Sequence, residues 1–131
     1  MPYLLDTHAL LWWVADDMRL SRRARELLRA SGNEIFFSAV SAWEIAIKVQ
    51  LGRPEVIEMD QDPATLIPSL LTECGFQSLS ITMGHALRVA ALPLLHRDPF
   101  DRLLIAQAQL EDLTILTADP AIARYDVTVA W

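Results

Sequence analysis

Tyr3-Leu4-Leu5-Asp6 places a short apolar run before a carboxylate, and an apolar stretch at His8–Ala15 follows at once. The run has the length of a buried strand, and the stretch after it has the length and composition of a short helix. The same order of a β-rich run and a longer helical segment recurs along the chain. This alternation predicts an α/β fold, in which helices cover a mostly parallel central sheet of four to five strands.

Turn residues and helix caps set the bounds of the predicted elements. The predicted strands are Tyr3–Asp6, Glu34–Ser38, Phe76–Ile81, Thr114–Thr117 and an edge strand at Val127–Val129. The predicted helices are His8–Ala15, Ser21–Ala30, Ser41–Leu51 with Gly52 as its C-cap, Pro63–Glu73, a helix capped by Thr82 that runs to about Ala91, Pro99–Glu111 and Pro120–Arg124. Arg53–Asp62 is predicted to be an irregular acidic connection, and no linker divides residues 1–131, so we expect a single domain.

The composition narrows the possible classes of protein. No apolar run approaches the length of a membrane-spanning helix, and the first residues lack the basic region of a signal peptide, so we expect a cytoplasmic protein. The single Cys74 excludes an internal disulfide framework and a thiolate metal cluster. The net charge of −6 argues against a generic nucleic-acid binder held by overall positive charge.

A hydrophobic content of 53 % and a mean hydropathy of +0.25 are high for so short a chain. Surplus apolar surface of this kind suggests that a homodimer or an obligate partner covers part of it. Trp12, Trp13 and Trp43 are candidates for such a surface, although core packing explains each of them equally well.

Four carboxylates lie at or near places where a buried strand ends or could end: Asp6, Glu44, Asp101 and Asp119. Asp6 and Asp119 follow predicted strands, Glu44 lies just past the strand Glu34–Ser38, and Asp101 lies in the first turn of the predicted helix Pro99–Glu111. Because the ligand crevice of an open parallel sheet lies at the carboxyl ends of its strands, we expect these side chains to converge. Carboxylates in one crevice repel each other unless a cation neutralises them, and oxygen ligands favour Mg²⁺ or Mn²⁺. The pattern therefore predicts a metal-dependent active site.

Each acid also has a structural explanation as a helix cap. Asp6, Asp98 and Asp119 precede predicted helices, and Ser41 with Glu44 has the spacing of a capping box. Asp101 would favour the positive end of the helix that starts at Pro99. The two explanations coexist, because a cap at a helix N-terminus also points towards the crevice. Asp98 and Asp101 share a helix face, so either could reach an ion.

Other kinds of active site find less support in the residues. The chain has four glycines and neither a phosphate-binding glycine loop nor a nucleophile elbow. His85 is predicted to be a packing residue and His96 a loop residue. Asp6 could be a phosphoacceptor, but phosphatases that use an aspartate nucleophile carry a second acid two positions later, where this chain has His8.

Four stretches in a fixed order, Leu4–Trp12, Ser38–Ile45, Asp98–Ala108 and Leu116–Asp119, carry a resemblance to a known family. The chain resembles the PIN-domain family, and within it the VapC-type toxins of bacterial toxin–antitoxin pairs. The resemblance implies a three-layer α/β/α fold, usually dimeric, with ribonuclease activity that depends on Mg²⁺ or Mn²⁺. It also implies inhibition by a small antitoxin, for whose helix the apolar Leu10–Trp13 segment is a candidate groove.

The resemblance also implies roles for individual residues. Asp6, Glu44, Asp101 and Asp119 match the four acidic motif positions, and the additional Asp98 leaves the third assignment open. Thr7 and Thr117 match supporting positions. Apart from the resemblance, the place of Arg102 beside the acids predicts that it pairs with Asp98, or else contacts the scissile phosphate. The main hypothesis is a toxin endoribonuclease; the alternatives are a catalytically silent module that binds RNA or protein and, with less support, a DNA structure-specific nuclease.

Overall fold

The structure, a computed structural model, describes residues 1–53 and 62–131. Its sheet has five strands in the order β3-β2-β1-β4-β5, and every neighbouring pair is parallel. The strands are β1 Pro2–Leu5, β2 Glu34–Ser38, β3 Gln77–Leu79, β4 Thr114–Leu116 and β5 Val129–Ala130. The predicted α/β class and the parallel sheet are confirmed, and the last strand lies at the sheet edge as expected.

Helices connect the strands and pack on both faces of the sheet. They are α1 Thr7–Val14, α2 Arg22–Arg29, α3 Ala39–Gln50, α4 Pro63–Cys74, α5 Met83–Arg88, α6 Pro99–Glu111 and α7 Pro120–Ala123, and a 3₁₀ turn at Val89–Ala91 follows α5. Proline occupies the first turn of α4, α6 and α7, and an aspartate caps each of these helices. This pairing suits a helix start, because proline lacks the N–H that the cap would otherwise have to satisfy.

Alternate residues of the central strand β1 enter two separate hydrophobic cores. Tyr3 and Leu5 belong to the core beneath α1 and α2, and Leu4 belongs to the core beneath α6. The alternation follows from the two-residue period of a strand, and apolar side chains on both faces are what a sheet covered on both sides requires. None of the helices in the described ranges is long and apolar enough to cross a membrane.

Helix α3 begins two residues before the predicted start. Strand β2 runs directly into it, and the Ser38 side chain accepts a hydrogen bond from the backbone N–H of Val40. The predicted capping box at Ser41 is therefore wrong, because Ser41 already lies inside the helix. At the other end, Gly52 adopts φ +67° one residue beyond the cap, and Arg53 N–H bonds to the Lys48 carbonyl, which closes a Schellman motif.

Most other element bounds differ from the prediction by about one to three residues, which is the usual uncertainty at element ends. The third strand is shorter than predicted, because only Gln77–Leu79 pair with β2. The helix predicted after Thr82 divides into α5 and the 3₁₀ turn. Residues 54–61 of the predicted acidic connection lie outside the described residues.

Candidate active site

The strand order reverses beside β1, which pairs with β2 on one side and with β4 on the other. The connections that leave these strands diverge, so a crevice forms at their carboxyl ends. Asp6 directly follows β1, and its backbone N–H bonds to the Leu116 carbonyl at the end of β4. The crevice is therefore built around Asp6.

Asp6 is buried, and both of its carboxylate oxygens accept hydrogen bonds. Oδ1 accepts from the backbone N–H of His8 at 2.7 Å and thereby caps α1, as the sequence suggested. Oδ2 accepts from the Thr117 hydroxyl at 2.6 Å. Burial raises the pKa of the Asp6 carboxyl above 3.8, although both hydrogen bonds favour the ionised form, and the charge of Glu44 raises the pKa further.

Thr117 links two of the predicted acids. Its hydroxyl donates to Asp6 and accepts a hydrogen bond from the backbone N–H of Asp119 at 3.0 Å. The Asp119 carboxylate caps α7 by accepting from the N–H of Ala121 at 2.9 Å. A single buried threonine at the end of β4 thus fixes the loop that presents Asp119 next to Asp6.

Glu44 enters the crevice from the second turn of α3. Its Oε1 accepts a hydrogen bond from the Thr7 hydroxyl at 2.7 Å, and its Oε2 lies 3.0 Å from Lys48 Nζ. Glu44 is buried and points towards α1, away from the backbone of Ser41 that the predicted capping box required. Thr7 therefore holds Glu44 as Thr117 holds Asp6.

Asp98 and Asp101 have different partners, although they are one helical turn apart. Asp98 Oδ1 accepts from the N–H groups of Phe100 and Asp101, at 2.9 and 3.2 Å, and caps α6. Asp101 Oδ2 lies 3.1 Å from Nε2 of His96. Asp98 therefore caps α6, whereas the Asp101 side chain contacts His96 and takes no part in the cap.

The pKa of the Asp101 carboxyl depends on the charges of the neighbouring acids. Burial raises its pKa from 3.8 to about 7, although the hydrogen bond with His96 lowers it. The negative charges of Asp98, Asp6 and Asp119 add to the rise. The predicted acids are therefore close enough to repel one another, and burial together with this repulsion favours a proton on Asp101 near neutral pH.

Arg102 has a different environment from both of the predicted ones. Its side chain is buried and donates to the carbonyls of Pro93 and Val89, at 2.8 and 3.3 Å, and to the Tyr125 hydroxyl at 3.0 Å. The expected pair with Asp98 is absent among the ion pairs of the described residues. Arg102 does not pair with Asp98 because it lies on the buried face of α6, where its guanidinium is turned towards the loop before the helix.

His96 and Tyr125 belong to the site, and the sequence reasoning missed both roles. His96 contacts Asp101 through Nε2 and the Tyr125 hydroxyl through Nδ1, the latter at 2.7 Å. Its place five residues before an acid was the one local signal available. Tyr125 is 29 residues from His96, and no sequence pattern connects the two.

The donor set fits a hard divalent cation, because all of the acids offer oxygen. Within residues 1–53 and 62–131, no group of three or more His, Cys, Asp or Glu side chains is placed so that together they could hold a metal ion. Mg²⁺ does not require such a group, since it commonly keeps several waters and uses one or two protein carboxylates. A cation here would also relieve the repulsion that raises the Asp101 pKa.

Known proteins resemble this chain in both sequence and structure. The family model described as "PIN domain" matches residues 3–127. Ribonuclease VapC22 of Mycobacterium tuberculosis is 30% identical over 117 residues, which cover 88% of this chain and 85% of that protein. Ribonuclease VapC16 of the same organism is 34% identical over 61 residues, covering 47% of this chain and only 41% of that protein.

Solved structures share the fold at low sequence identity. VapBC2 from Rickettsia felis, bound to a DNA fragment from its promoter, contains a chain with a TM-score of 0.72 and 17% identity, covering 99% of this chain and 98% of that chain. FitAcB from Neisseria gonorrhoeae gives a TM-score of 0.64 at 18% identity, covering 98% of this chain and 96% of that chain. These similarities show the three-layer α/β/α fold.

Proposed function

Because the chain belongs to the PIN-domain family, we propose that it is a Mg²⁺- or Mn²⁺-dependent endoribonuclease and the toxin of a toxin–antitoxin pair. One observation carries the proposal: Asp98, Asp6 and Asp119 lie near enough to Asp101 for their negative charges to add to the burial that raises its pKa to about 7. Because the raised pKa means that an ionised Asp101 costs stability, a neutral residue at this position would make the fold more stable unless the negative charge served a function. The names of the VapC relatives support RNA as the substrate.

Asp6, Asp101 and Asp119 are the proposed metal ligands, and Glu44 completes the shell through water or orients the attacking water. The bound ion supplies a lowered pKa for water and positive charge opposite the phosphate in the transition state. Thr117 and Thr7 keep Asp6 and Glu44 in place through their hydroxyl hydrogen bonds. The number of ions, one or two, does not affect these assignments.

A catalytically silent module that binds RNA or protein is the second candidate. The observation in its favour is that Asp6, Asp98 and Asp119 all cap helices, so that a structural role accounts for part of the acid set. Capping does not account for Glu44 or Asp101, whose side chains bond to Thr7 and His96. The endoribonuclease is therefore the better supported function.

Cleavage of total bacterial RNA by the purified chain tests the proposal. We expect discrete fragments in Mg²⁺ or Mn²⁺, and none in EDTA or with Asp6→Asn. Asp62→Asn is the matched control, because Asp62 is also an aspartate N-cap but is exposed and caps α4. Cleavage that persists with Asp6→Asn would refute the metal site, and a wild type that binds neither metal ion would favour the silent module.

A small cognate antitoxin and a second copy of the chain are the proposed protein partners, and cytoplasmic action is part of the same proposal. The R. felis VapBC2 and Klebsiella pneumoniae toxin-antitoxin structures that share the fold support the first partner. An apolar groove with a volume of about 780 Å³ lies between α3 and α4, where Ala42, Val49, Ile67 and Leu71 line it. The predicted Leu10–Trp13 segment fits less well, because Leu10 is fully buried.

Light scattering of the purified chain tests the homodimer, for which the exposed Trp43 provides apolar surface. A monomer at micromolar concentration would contradict it.

Growth after induction, with and without the gene beside this one, tests the antitoxin. We expect arrested growth that the neighbouring gene relieves, whereas normal growth in both cultures would contradict the toxin assignment.

A further inference from the structure

A chain of hydrogen bonds runs from the buried guanidinium of Arg102 to the carboxylate of Asp101. Arg102 NH1 lies 3.0 Å from the Tyr125 hydroxyl, which lies 2.7 Å from Nδ1 of His96. Nε2 of the same imidazole lies 3.1 Å from Asp101 Oδ2. The His96 side chain is 18% exposed and that of Asp101 is 20%, so solvent competes little for these bonds.

The direction of each bond follows from the chemistry of its donor. A guanidinium only donates, so the Tyr125 oxygen accepts from Arg102, and it also accepts from the backbone N–H of His96 at 3.3 Å. The phenol hydrogen is then free to donate to Nδ1 of His96. With Nδ1 as an acceptor, the neutral imidazole carries its hydrogen on Nε2 and donates it to Asp101.

The Arg102 side chain, at the start of this series of hydrogen bonds, is held in place because the carbonyls of Pro93 and Val89 also accept hydrogen bonds from it. A guanidinium carries a permanent positive charge in proteins. The tautomer of His96 is therefore set by a buried and permanently charged group, and the orientation of the imidazole is set by two partners at opposite ring nitrogens.

From this geometry we propose that His96 is a positioning residue that holds the Asp101 carboxylate through Oδ2 and leaves Oδ1 directed to the cation. The inference rests on the proposed metal-dependent function. Oδ1 of Asp101 accepts no hydrogen bond from the described residues. His96 itself is unsuited to ligate the ion, because both of its ring nitrogens are already engaged.

With His96 as a donor to Asp101, three acids of the crevice each accept a hydrogen bond from a neighbouring side chain. Thr117 donates to one oxygen of Asp6, Thr7 donates to one oxygen of Glu44, and His96 donates to one oxygen of Asp101. Donors behind metal-binding carboxylates fix their orientation, and removing such a donor typically weakens metal binding by roughly 10- to 100-fold. His96 differs from the threonines in coming from the loop before α6, so it also connects Asp101 to Tyr125.

Calorimetric titration with Mn²⁺ tests the proposal without RNA. We expect His96→Ala to weaken Mn²⁺ binding by roughly 10- to 100-fold and His96→Gln to restore most of the affinity, because its amide keeps an N–H donor of similar reach. Leu94→Ala is the control for disturbance of the loop, since Leu94 is 91% exposed and lies close by in the chain. A folded His96→Ala variant with wild-type affinity would overturn the proposal, as would a His96→Gln variant no better than His96→Ala.

Nitrogen NMR of the imidazole in the metal-free protein supplies a readout that a merely structural role would not change. We expect the Nε2–H tautomer in the wild type and a mixture of tautomers in Tyr125→Phe. The Nδ1–H tautomer in the wild type would overturn the assignment. If the wild type binds Mn²⁺ as expected but cleaves no RNA, the nuclease proposal fails while the role of His96 stands. If cleavage occurs and His96→Ala alters neither kcat nor Mn²⁺ affinity, the role of His96 fails alone.

Discussion

Replacing Asp101 with asparagine should stabilise the metal-free protein near neutral pH, although it removes a proposed metal ligand. In the folded chain the pKa of Asp101 is raised to about 7, whereas the unfolded chain has the ordinary value of 3.8. Between these two values the folded state holds a proton that the unfolded state has lost. The free energy of unfolding therefore falls as pH rises from about 4 to about 7, and the loss is complete above about pH 7.

The size of the effect follows from the shift in pKa. The difference between the ordinary pKa of 3.8 and the folded pKa of about 7 corresponds to about 4 kcal/mol at most. The Asp101 side chain is 20% exposed, and solvent screening reduces that limit, so we expect about 1–2 kcal/mol. The asparagine side chain cannot ionise, keeps an oxygen that accepts from His96, and removes one charge that repels Asp6 and Asp119. The variant should therefore exceed the wild type in stability at about pH 8 and match it near pH 4.

Urea unfolding followed by tryptophan fluorescence, in EDTA at several pH values between about 5 and about 8, measures this difference. The wild type should lose stability relative to Asp101→Asn as pH rises, and Asp62→Asn should follow the wild type. Equal pH slopes for the wild type and Asp101→Asn would refute the reasoning, as would a less stable Asp101→Asn variant at the highest pH in EDTA. Saturating Mg²⁺ should reverse the order, because the ion stabilises only the chain that binds it.

Three further predictions concern the partners of the acids. Thr117→Val should lower the free energy of unfolding by about 1–3 kcal/mol, because a charge-assisted hydrogen bond to buried Asp6 is lost; Thr117→Ser should restore it, and urea unfolding that finds no difference would contradict the role of the hydroxyl. Arg102→Met should cost about 3 kcal/mol or more, since a buried donor with three partners is removed; a stable variant with weakened RNA binding would instead support the phosphate contact. Mg²⁺ at about 100 times its Kd should stabilise the wild type by about 2.7 kcal/mol in thermal unfolding and should leave Asp6→Asn unchanged; equal stabilisation of both would place the ion elsewhere.

Local signals predicted those elements whose ends are fixed by local chemistry. Helix α6 has the predicted bounds, because Asp98 caps it, Pro99 occupies its first position and its apolar residues recur at helical spacing. Strand β2 also has the predicted bounds. The start of α3 was wrong because Ser38 and Ser41 are both suitable caps by sequence. The choice between them depends on a tertiary contact, in which the Ser38 hydroxyl donates to Gln107 on α6, 69 residues away.

The proximity of Asp6 and Asp119 could be predicted because strand ends in a parallel sheet meet at one edge, a rule that requires no knowledge of side-chain contacts. The groups that contact the acids were harder to predict. Arg102 was assigned to Asp98 or the phosphate from its place beside the acids, but burial on the inner face of α6 decides its partners. His96 and Tyr125 meet only in the folded chain, and neither residue type carries a local pattern that predicts the contact.

Helix capping and the proposed metal binding would use the same side chains without conflict, because a cap engages only part of a carboxylate. Oδ1 of Asp6 and Oδ1 of Asp119 each accept a hydrogen bond from a backbone N–H, and the positive ends of α1 and α7 stabilise the charges of these two acids. Asp101 lies in the first turn of α6, but Asp98 already caps that helix, so Asp101 accepts no backbone cap bond. Burial raises the pKa of Asp101 to about 7, and it also raises the pKa of Asp6, although Asp6 caps α1. In the metal-free chain a proton on Asp101 therefore relieves the charge of the cluster, and the proposed cation would take the place of that proton.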